Sequence, residues 1–210
     1  MRLVCISDTH SLHTQIPPLP DGDVLVHAGD CTGSGSLPAL DEFTKWFGSL
    51  PHKFKVLIAG NHDFAFERYP AWSREMCEKN DITYLQDEAV RIEGVSFYGL
   101  PWTPFFHNMG FNADQKIMTE KVALIPNDTN VLITQGPARG LFDYVHVDGV
   151  SAGCPSLQAR LPHLNHLRAH ICGHIHEGYG KVRKNGVTYV NAASCTERYQ
   201  PTNPPIVIDI

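Results

Sequence analysis

Five short segments of this chain combine aspartate, histidine, asparagine or glutamine with residues typical of loops, and four of the five follow an apolar, β-branched run. The segments are Asp8-Thr9-His10, Gly29-Asp30, Gly60-Asn61-His62-Asp63, Thr134-Gln135-Gly136-Pro137 and Gly173-His174-Ile175-His176. Carboxylate, imidazole and carboxamide groups are ligands for divalent cations. Loops that follow the strands of an α/β protein share one edge of the sheet. The sequence therefore predicts one site that gathers these side chains and holds two divalent cations.

The first two segments offer carboxylates. Asp8 and His10 are two residues apart, so an extended backbone would point both side chains the same way, toward one cation. Asp30 has two carboxylate oxygens and could bridge two metals. It could equally cap the helix that is predicted to begin near Ser36.

The third segment offers a neutral ligand and a proton donor. The carboxamide oxygen of Asn61 suits Mn²⁺ or Mg²⁺. His62 would point away from the metal and be free for proton transfer, and Asp63 could then fix the tautomer of its ring. The alternative is a Gly-Asn turn followed by a helix N-cap.

Of the five segments, Gly173-His174-Ile175-His176 is the strongest indication of a metal site. Two histidines separated by one residue can serve two neighbouring cations. The alternative, two surface histidines in a turn, weakens when all five segments occur in this order after predicted strands.

The elements that must position these residues follow from the hydrophobic pattern. Two predicted hairpins turn at Gly94 and at Asn185-Gly186, a strong two-residue turn signal. Early strands alternate with helices, as parallel pairing requires. This mixture predicts a single α/β domain, residues 1–210, with two packed sheets and helices outside. The predicted strands are 2–7, 23–28, 54–59, 82–86, 88–93, 95–100, 130–135, 168–173, 178–184, 187–192 and 205–210, and the predicted helices are 36–49, 66–79, 111–125 and 156–167.

Composition narrows the class of protein. The chain has 210 residues, 42% of them hydrophobic, and a formal net charge of −5. It has no basic run, which argues against a polymeric nucleic acid or a membrane surface as partner. No signal peptide or membrane-length apolar run is recognised, and the six cysteines show no Cys-x-x-Cys spacing. We therefore expect reduced thiols and a cytoplasmic location. His27, inside an apolar run, is expected to be a hydrogen-bonded core histidine.

The order and types of these segments resemble the calcineurin-like metallophosphoesterase superfamily, and most nearly its metallophosphoesterase-domain-containing subgroup related to mammalian brain proteins. Further stretches share this likeness: Pro101-Trp102-Thr103-Pro104, Cys172 to Gly180 and Val190 to Cys195. The resemblance implies a four-layer α-β-β-α sandwich of two mixed β-sheets flanked by helices. It also implies two divalent ions, Mn, Fe, Zn or Mg, and His62 as general acid. By position, Asp8, His10, Asp30 and His176 would hold the first metal, and Asp30, Asn61, His174 and residue 135 would hold the second.

Residue 135 departs from the family pattern. In a Thr-His-Gly-Pro context the family supplies an imidazole there, whereas this chain has Gln135. Cations that favour imidazole would lose affinity for an amide oxygen. The second site is therefore expected to be weak or empty.

The resemblance implies hydrolysis of phosphodiesters, including cyclic or small nucleotides, by in-line attack of a metal-bridging hydroxide, in a monomer or dimer. A catalytically impaired nucleotide-binding or scaffold protein is the alternative, supported by Gln135. A structural zinc protein is disfavoured, because such sites are closed sets of cysteine and histidine. Aromatic candidates for substrate contact could instead pack in the core, and charged ones could be ordinary surface groups. The candidate substrate-binding residues are Asn61, His62, Trp102, Phe105, Phe106, Arg139 and Asp143.

Overall fold

The computed structural model describes all residues, 1–210, as a mixed α/β fold with fifteen strands. The strands are β1 (Arg2–Ile6), β2 (Val24–Ala28), β3 (Phe54–Ile58), β4 (Thr83–Tyr84), β5 (Glu88–Ile92), β6 (Val95–Leu100), β7 (Thr103–Pro104), β8 (Asn112–Ala113), β9 (Val131–Thr134), β10 (Tyr144–Val145), β11 (Val150–Ser151), β12 (Ala169–Cys172), β13 (Gly180–Lys184), β14 (Val187–Asn191) and β15 (Ile206–Asp209). The helices are α1 (Leu37–Ser49), α2 (Phe64–Arg68), α3 (Pro70–Lys79), α4 (Gln115–Ala123) and α5 (Pro155–Arg160), with 3₁₀ turns at Leu161–His163 and His176–Gly178.

Two mixed sheets form the centre of the fold. The first has the order β15-β1-β2-β3-β4, and only β15 runs antiparallel to its neighbour. The second has the order β13-β14-β12-β9-β6-β5, with parallel pairing inside and antiparallel strands at both edges. The inner strands β2, β3, β9 and β12 read as apolar runs because both faces of each sheet are covered.

Three apolar clusters separate four layers. The largest lies between the two sheets and contains Val26, Ile58, Ile133 and Ile171. A second fills the outer side of the first sheet under α1 and α3, and a third fills the outer side of the second sheet under α4 and α5. The α-β-β-α sandwich predicted from the sequence is thereby confirmed.

The helices differ from the predicted ranges in informative ways. The predicted helix 66–79 is two helices, because Pro70 lacks the N–H that would continue the first one and instead starts α3 at its first turn. The predicted helix 111–125 begins only after Asp114, whose carboxylate accepts the Ile117 N–H at 2.8 Å. The predicted helix 156–167 ends at Arg160 and tightens into a 3₁₀ turn.

Both predicted hairpins are confirmed. Ile92 pairs with Val95, and Lys184 pairs with Val187, so each hairpin has a two-residue loop. Asn185 and Gly186 have φ of 52° and 83°, which is the pattern of a type I′ turn.

The two sheets meet where their parallel strands end. Ser7, just after β1, forms a parallel bridge with Ala193, just after β14. The Ser7 N–H donates to the Ala192 carbonyl at 2.9 Å, and the Ser194 N–H donates to the Ser7 carbonyl at 2.8 Å. This junction closes one edge of the sandwich, so loops from both sheets converge on the same place.

Three further predictions concern the cysteines, His27 and membrane-spanning segments. All six cysteines are free and buried. His27 is fully buried, with Nε2 3.0 Å from the Thr9 hydroxyl, as expected of a core histidine. None of the helices combines the length and the apolar character that a membrane crossing requires.

Candidate metal centre

Loops at the carboxyl ends of the parallel strands bring the candidate ligands together. Asp8, His10 and His176 have ligand atoms that all lie within 4.8 Å of one another. His10, Asp30 and His62 form a second such group. His10 belongs to both, so the two groups are one continuous cluster built from the ends of β1, β2, β3 and β12.

The backbone at this cluster is strained in a consistent way. Asp8, His10, Asp30 and His174 have φ of 50°, 44°, 54° and 70°, in the left-handed region that residues other than glycine rarely adopt. Such conformations cost about 1–3 kcal/mol each and persist where the surroundings impose them. Here these conformations turn the backbone sharply after each strand, so that several side chains point into one space.

Hydrogen bonds orient the first group. The Nδ1 atom of His176 lies 2.9 Å from the Thr196 carbonyl, which directs Nε2 toward the cluster. That Nε2 is 3.2 Å from Nε2 of His10 and 3.6 Å from Oδ1 of Asp8. The Ser7 hydroxyl and the His174 N–H both donate to the Asp8 carboxylate. A cation would therefore find these ligands already positioned.

Gln135 and Asn61 define the other side of the cluster. The Gln135 Nε2 atom donates to the Asn61 Oδ1 atom at 3.3 Å, and the buried Gln135 Oε1 has no hydrogen-bond partner. Glycines make room for this amide: a Cβ on Gly29 would lie 1.9 Å from Gln135 Oε1, and one on Gly60 would lie 2.6 Å from its Cδ. The carboxamide thus occupies a tight position at the edge of the cluster.

Burial and neighbouring charges together set the protonation of the cluster. Burial raises the pKa of Asp30 well above its usual value, and the charges of Asp8 and Asp63 raise it further. Burial alone would also raise the pKa of Asp8, but the hydrogen bond and charge of His176 outweigh it and hold that pKa below its usual range. Burial lowers the pKa of His10 to about 3 and that of His174 to about 4. The imidazoles of His10 and His174 are therefore neutral at physiological pH, which is the form that binds metals.

The donor set fits divalent metal ions. The first group offers the imidazoles of His10 and His176 and the carboxylate of Asp8, and Asp30 lies beside His10 in the second group. Imidazoles mixed with carboxylates suit Mn²⁺, Fe²⁺ or Zn²⁺. Around Asn61, Gln135 and His174 the donors are mainly amide and carboxylate oxygens, with a single imidazole. The buried Oε1 of Gln135 has no hydrogen-bond partner within the protein, so it is a free oxygen donor at this second position.

His62 and Asp63 do not interact as expected. The Nδ1 atom of His62 lies 2.9 Å from the Gly33 carbonyl, and the ring packs edge-on to His10 at 4.7 Å between centroids. The Asp63 carboxylate instead accepts hydrogen bonds from the Cys31, Thr32 and Gly60 N–H groups and from the Thr32 hydroxyl, at 2.7–3.1 Å. The prediction that Asp63 orients His62 is wrong, because backbone donors of the neighbouring loop surround that carboxylate.

Above the cluster lies a cleft of about 700 Å³. Phe105, Phe106 and Arg139 line it, together with His174 and His176. Phe105 is 66% exposed, and the Phe106 ring meets the His174 ring at 5.0 Å between centroids. These candidates for substrate contact therefore share one cleft with the candidate metal ligands.

Two other candidates for substrate contact point elsewhere. The Trp102 indole N–H donates to both oxygens of Asp87 at 2.9 and 3.0 Å, and the Lys121 ammonium lies 4.3 Å from its ring centroid. Asp143 is buried and accepts the Gly153 N–H at 3.3 Å. Local partners engage both side chains and neither lines the cleft, so substrate contact by Trp102 and Asp143 stays a prediction.

Sequence reasoning missed Tyr199. Its ring lies 4.9 Å from the His10 ring and 5.3 Å from the His176 ring, between centroids, and it is 50% exposed in the cleft. Its φ of 55° places it in the left-handed region, as for the ligands. The available signal was its position in the loop after β14, the next parallel strand beside β12.

Known proteins with similar sequences align along the whole length of this chain. The family model described as Calcineurin-like phosphoesterase matches residues 1–178. The chain is 41% identical over 231 aligned residues to metallophosphoesterase domain-containing protein 1 of Homo sapiens, covering 100% of this chain and 71% of that protein, and the Mus musculus protein gives the same values. A solved crystal structure shares the fold with a TM-score of 0.70 at 16% identity, covering 90% of this chain and 89% of its own.

Proposed function

Because this chain belongs to the calcineurin-like phosphoesterase family, we propose that it hydrolyses phosphodiesters in the cleft above His10 and His176, with cyclic or small nucleotides as the substrate class. The observation that carries the proposal is the convergence of Asp8, His10 and His176 to within 4.8 Å from opposite ends of the chain. That convergence gathers one carboxylate and two imidazoles beneath an open cleft.

Asp8, His10, Asp30 and His176 would hold the first divalent ion, and Asp30, Asn61, Gln135 and His174 the second. Bound divalent ions would supply activation of water at neutral pH and neutralisation of phosphate charge. Manganese is our proposal for the resident metal, because mixed imidazole and carboxylate donors with amide oxygens suit it.

His62 is the proposed general acid. Its Nδ1 is engaged by the Gly33 carbonyl at 2.9 Å, so Nε2 is the atom left to deliver a proton to the leaving alkoxide. Its backbone N–H donates to Asp30 Oδ1 at 2.7 Å, which holds the residue beside the candidate metal ligands. Positioned proton transfer of this kind contributes about 10²–10⁴-fold to rate.

Gln135 is proposed to weaken the second site. Its Nε2 donates to the same Asn61 oxygen that a cation would use. A metal ion at this position must displace that hydrogen bond and accept one imidazole fewer than the family pattern provides. We therefore expect one tightly bound ion per chain and a second that binds only at higher metal concentration.

The cleft walls support a substrate with an aromatic group. Phe106 lies beside the His174 ring, and Tyr199 lies beside the His10 and His176 rings, so aromatic surfaces flank the cluster on two sides. Arg139 adds a positive charge to the same cleft. A nucleotide combines a flat base with phosphate charge and matches these features.

The experiment measures hydrolysis of bis(p-nitrophenyl) phosphate by Mn²⁺-loaded protein and by its His62→Ala and His176→Ala variants. We expect turnover that chelation abolishes, a loss of about 10²–10⁴-fold in His62→Ala, and a loss of bound metal in His176→Ala. His163→Ala, at an exposed histidine outside the cleft, is the matched control and should behave as the wild type.

Gln135→His tests the second site directly. We expect the variant to bind a second ion more tightly, as measured by elemental analysis after dialysis, and to hydrolyse the diester faster. If wild type and Gln135→His both carry metal and neither hydrolyses a diester, the proposed activity is refuted.

The Gln135–Asn61 hydrogen bond also favours a second candidate, a nucleotide-binding protein that kept the pocket and lost turnover. This alternative predicts one ion per chain, AMP binding in the cleft and no hydrolysis of any diester. Calorimetry with AMP on metal-loaded wild type and His176→Ala, combined with the turnover assay, separates the two candidates, because only binding in the cleft depends on His176.

We also propose a reducing location such as the cytoplasm. All six cysteines are free and buried, and burial raises the pKa of Cys77 and Cys195 to about 12, which keeps both as unreactive thiols.

A further inference from the structure

A second cavity lies on the outer face of the second sheet, away from the candidate metal ligands. Its volume is about 530 Å³, within the range of small-molecule sites. It is bounded by α5 with its 3₁₀ extension, by the loop after β9 and by the β13–β14 turn. The size and the enclosure by three separate elements make it a candidate binding site.

The floor of this cavity is apolar and its rim is cationic. Leu161, Leu164 and Leu167 belong to the buried cluster beneath it, and the Tyr189 ring packs against that cluster. Arg139 and Lys184 line the cavity, and neither takes part in an ion pair of this chain. Unpaired cations above an apolar floor favour a ligand with an anionic group and an apolar body.

The charge of the cavity is opposite to that of the whole protein. The chain has 22 acidic and 17 basic residues, yet none of the 14 lining residues is acidic. Three carboxamides, from Gln158, Asn165 and Asn185, complete the rim. Carboxamides offer paired donors and acceptors of the kind that read the edges of a heterocyclic base.

We infer that this cavity binds a small organic phosphate of mononucleotide size, with its phosphate held by Arg139 and Lys184 and its base over Tyr189 and the rim carboxamides. The wall is preformed: the Arg139 N–H donates to the Cys154 carbonyl at 3.1 Å, and the Cys154 N–H donates to the Pro137 carbonyl at 2.9 Å. These bonds join the loop after Gln135 to the start of α5, so little ordering is needed when a ligand binds.

Arg139 is the one residue that lines both this cavity and the cleft. A phosphate bound in the cavity would hold the Arg139 guanidinium away from the cleft, and a substrate in the cleft would do the reverse. Each ligand would therefore weaken binding of the other by the same factor. The test uses Lys184 rather than Arg139, because Lys184 does not line the cleft.

The test is a calorimetric titration of AMP into chelator-treated full-length protein, so that neither metal nor turnover contributes and the result does not depend on the proposed function. We expect one AMP to bind, with adenosine and inorganic phosphate each binding more weakly. Lys184→Glu should weaken AMP binding by at least about tenfold, since a charge-assisted hydrogen bond contributes about 1.5–3 kcal/mol. Asn165→Trp, which places a large ring at the exposed rim, should do the same.

Lys116→Glu, at an exposed lysine on α4 outside both cavities, is the matched control for the charge change and should bind AMP as the wild type does. Urea midpoints equal to that of the wild type verify that each variant is folded. The inference is overturned if AMP does not bind, or if Lys184→Glu and Asn165→Trp both leave its affinity unchanged. It is also overturned if binding is lost in His176→Ala but kept in Lys184→Glu, which would assign the AMP to the cleft.

Discussion

Acidification should destabilise the fold through His27, whose ring is buried on the outer side of the first sheet, under α1. The side chain is 0% exposed and packs edge-on to the Phe43 and Phe47 rings, at 5.0 and 6.0 Å between centroids. Burial lowers its pKa to about 3, against a smaller opposing effect of the Asp8 charge; His13 and His10 lower it further. The folded protein therefore holds His27 neutral at every pH at which the cell operates.

The direction and size of the effect follow from proton uptake. In the unfolded chain a histidine has a pKa of about 6.5. Between pH 6.5 and 3, His27 therefore binds a proton in the unfolded state but not in the folded state. The free energy of unfolding therefore falls as the pH falls through this window. At pH 5 the loss from His27 is about 2 kcal/mol, from 1.5 pH units at about 1.4 kcal/mol each.

Urea unfolding of chelator-treated protein at pH 8 and pH 5 measures this effect. We expect the wild type to lose about 2 kcal/mol more than His27→Leu between the two pH values. The Thr9 hydroxyl, left without its histidine partner in the variant, can still donate to the Cys31 carbonyl at 3.3 Å. His163→Leu, at an exposed histidine, should keep the full pH dependence of the wild type. Equal pH dependence in wild type and His27→Leu would refute the assignment of a strongly lowered pKa.

Three further substitutions test the architecture around the cluster. Gly29→Ala places a Cβ 1.9 Å from the Gln135 side chain at a φ of 100°, so we expect a loss of stability of at least about 3 kcal/mol in urea unfolding. Asp63→Ala removes the acceptor of three buried N–H groups and should cost about 3 kcal/mol or more in the same assay. Tyr199→Ala should raise KM for an aromatic diester about threefold to tenfold and leave the bound metal unchanged, as an aromatic contact of about 0.5–1.5 kcal/mol implies.

Each of these substitutions has a control elsewhere in the chain. Gly94→Ala introduces a Cβ at a φ of 85° with no atom within 4 Å, so it isolates backbone strain from the steric clash at Gly29. Asp41→Ala removes an exposed carboxylate paired with Lys45 and should change stability by less than about 1 kcal/mol. Tyr69→Ala removes a similarly exposed ring outside the cleft. A KM change in Tyr69→Ala as large as in Tyr199→Ala would argue against substrate contact by Tyr199.

Much of the fold could be predicted because its signals are local. The apolar runs that become β2, β3 and β12 predict strands covered on both faces. The dipeptide Asn185-Gly186 predicts a type I′ turn. The break before α3 could also be predicted from Pro70, because proline lacks the N–H that would continue a helix. The prediction of one continuous helix over 66–79 neglected this effect. The short pairs β7–β8 and β10–β11 could not be anticipated, because two-residue strands carry no periodicity.

The sequence by itself determined which loops meet, since the carboxyl ends of parallel strands share one edge whatever the side chains are. It could not determine where each side chain points within that edge. Left-handed turns at Asp8, Asp30 and His174 aim the ligands, and these depend on contacts between two sheets. Asp63 and Trp102 have the right residue types for a site, but donors distant in sequence engage Asp63 and a distant carboxylate engages Trp102. Hydrogen-bond competition among groups far apart in the chain is decided only when the chain has folded, and so it was settled by tertiary structure alone.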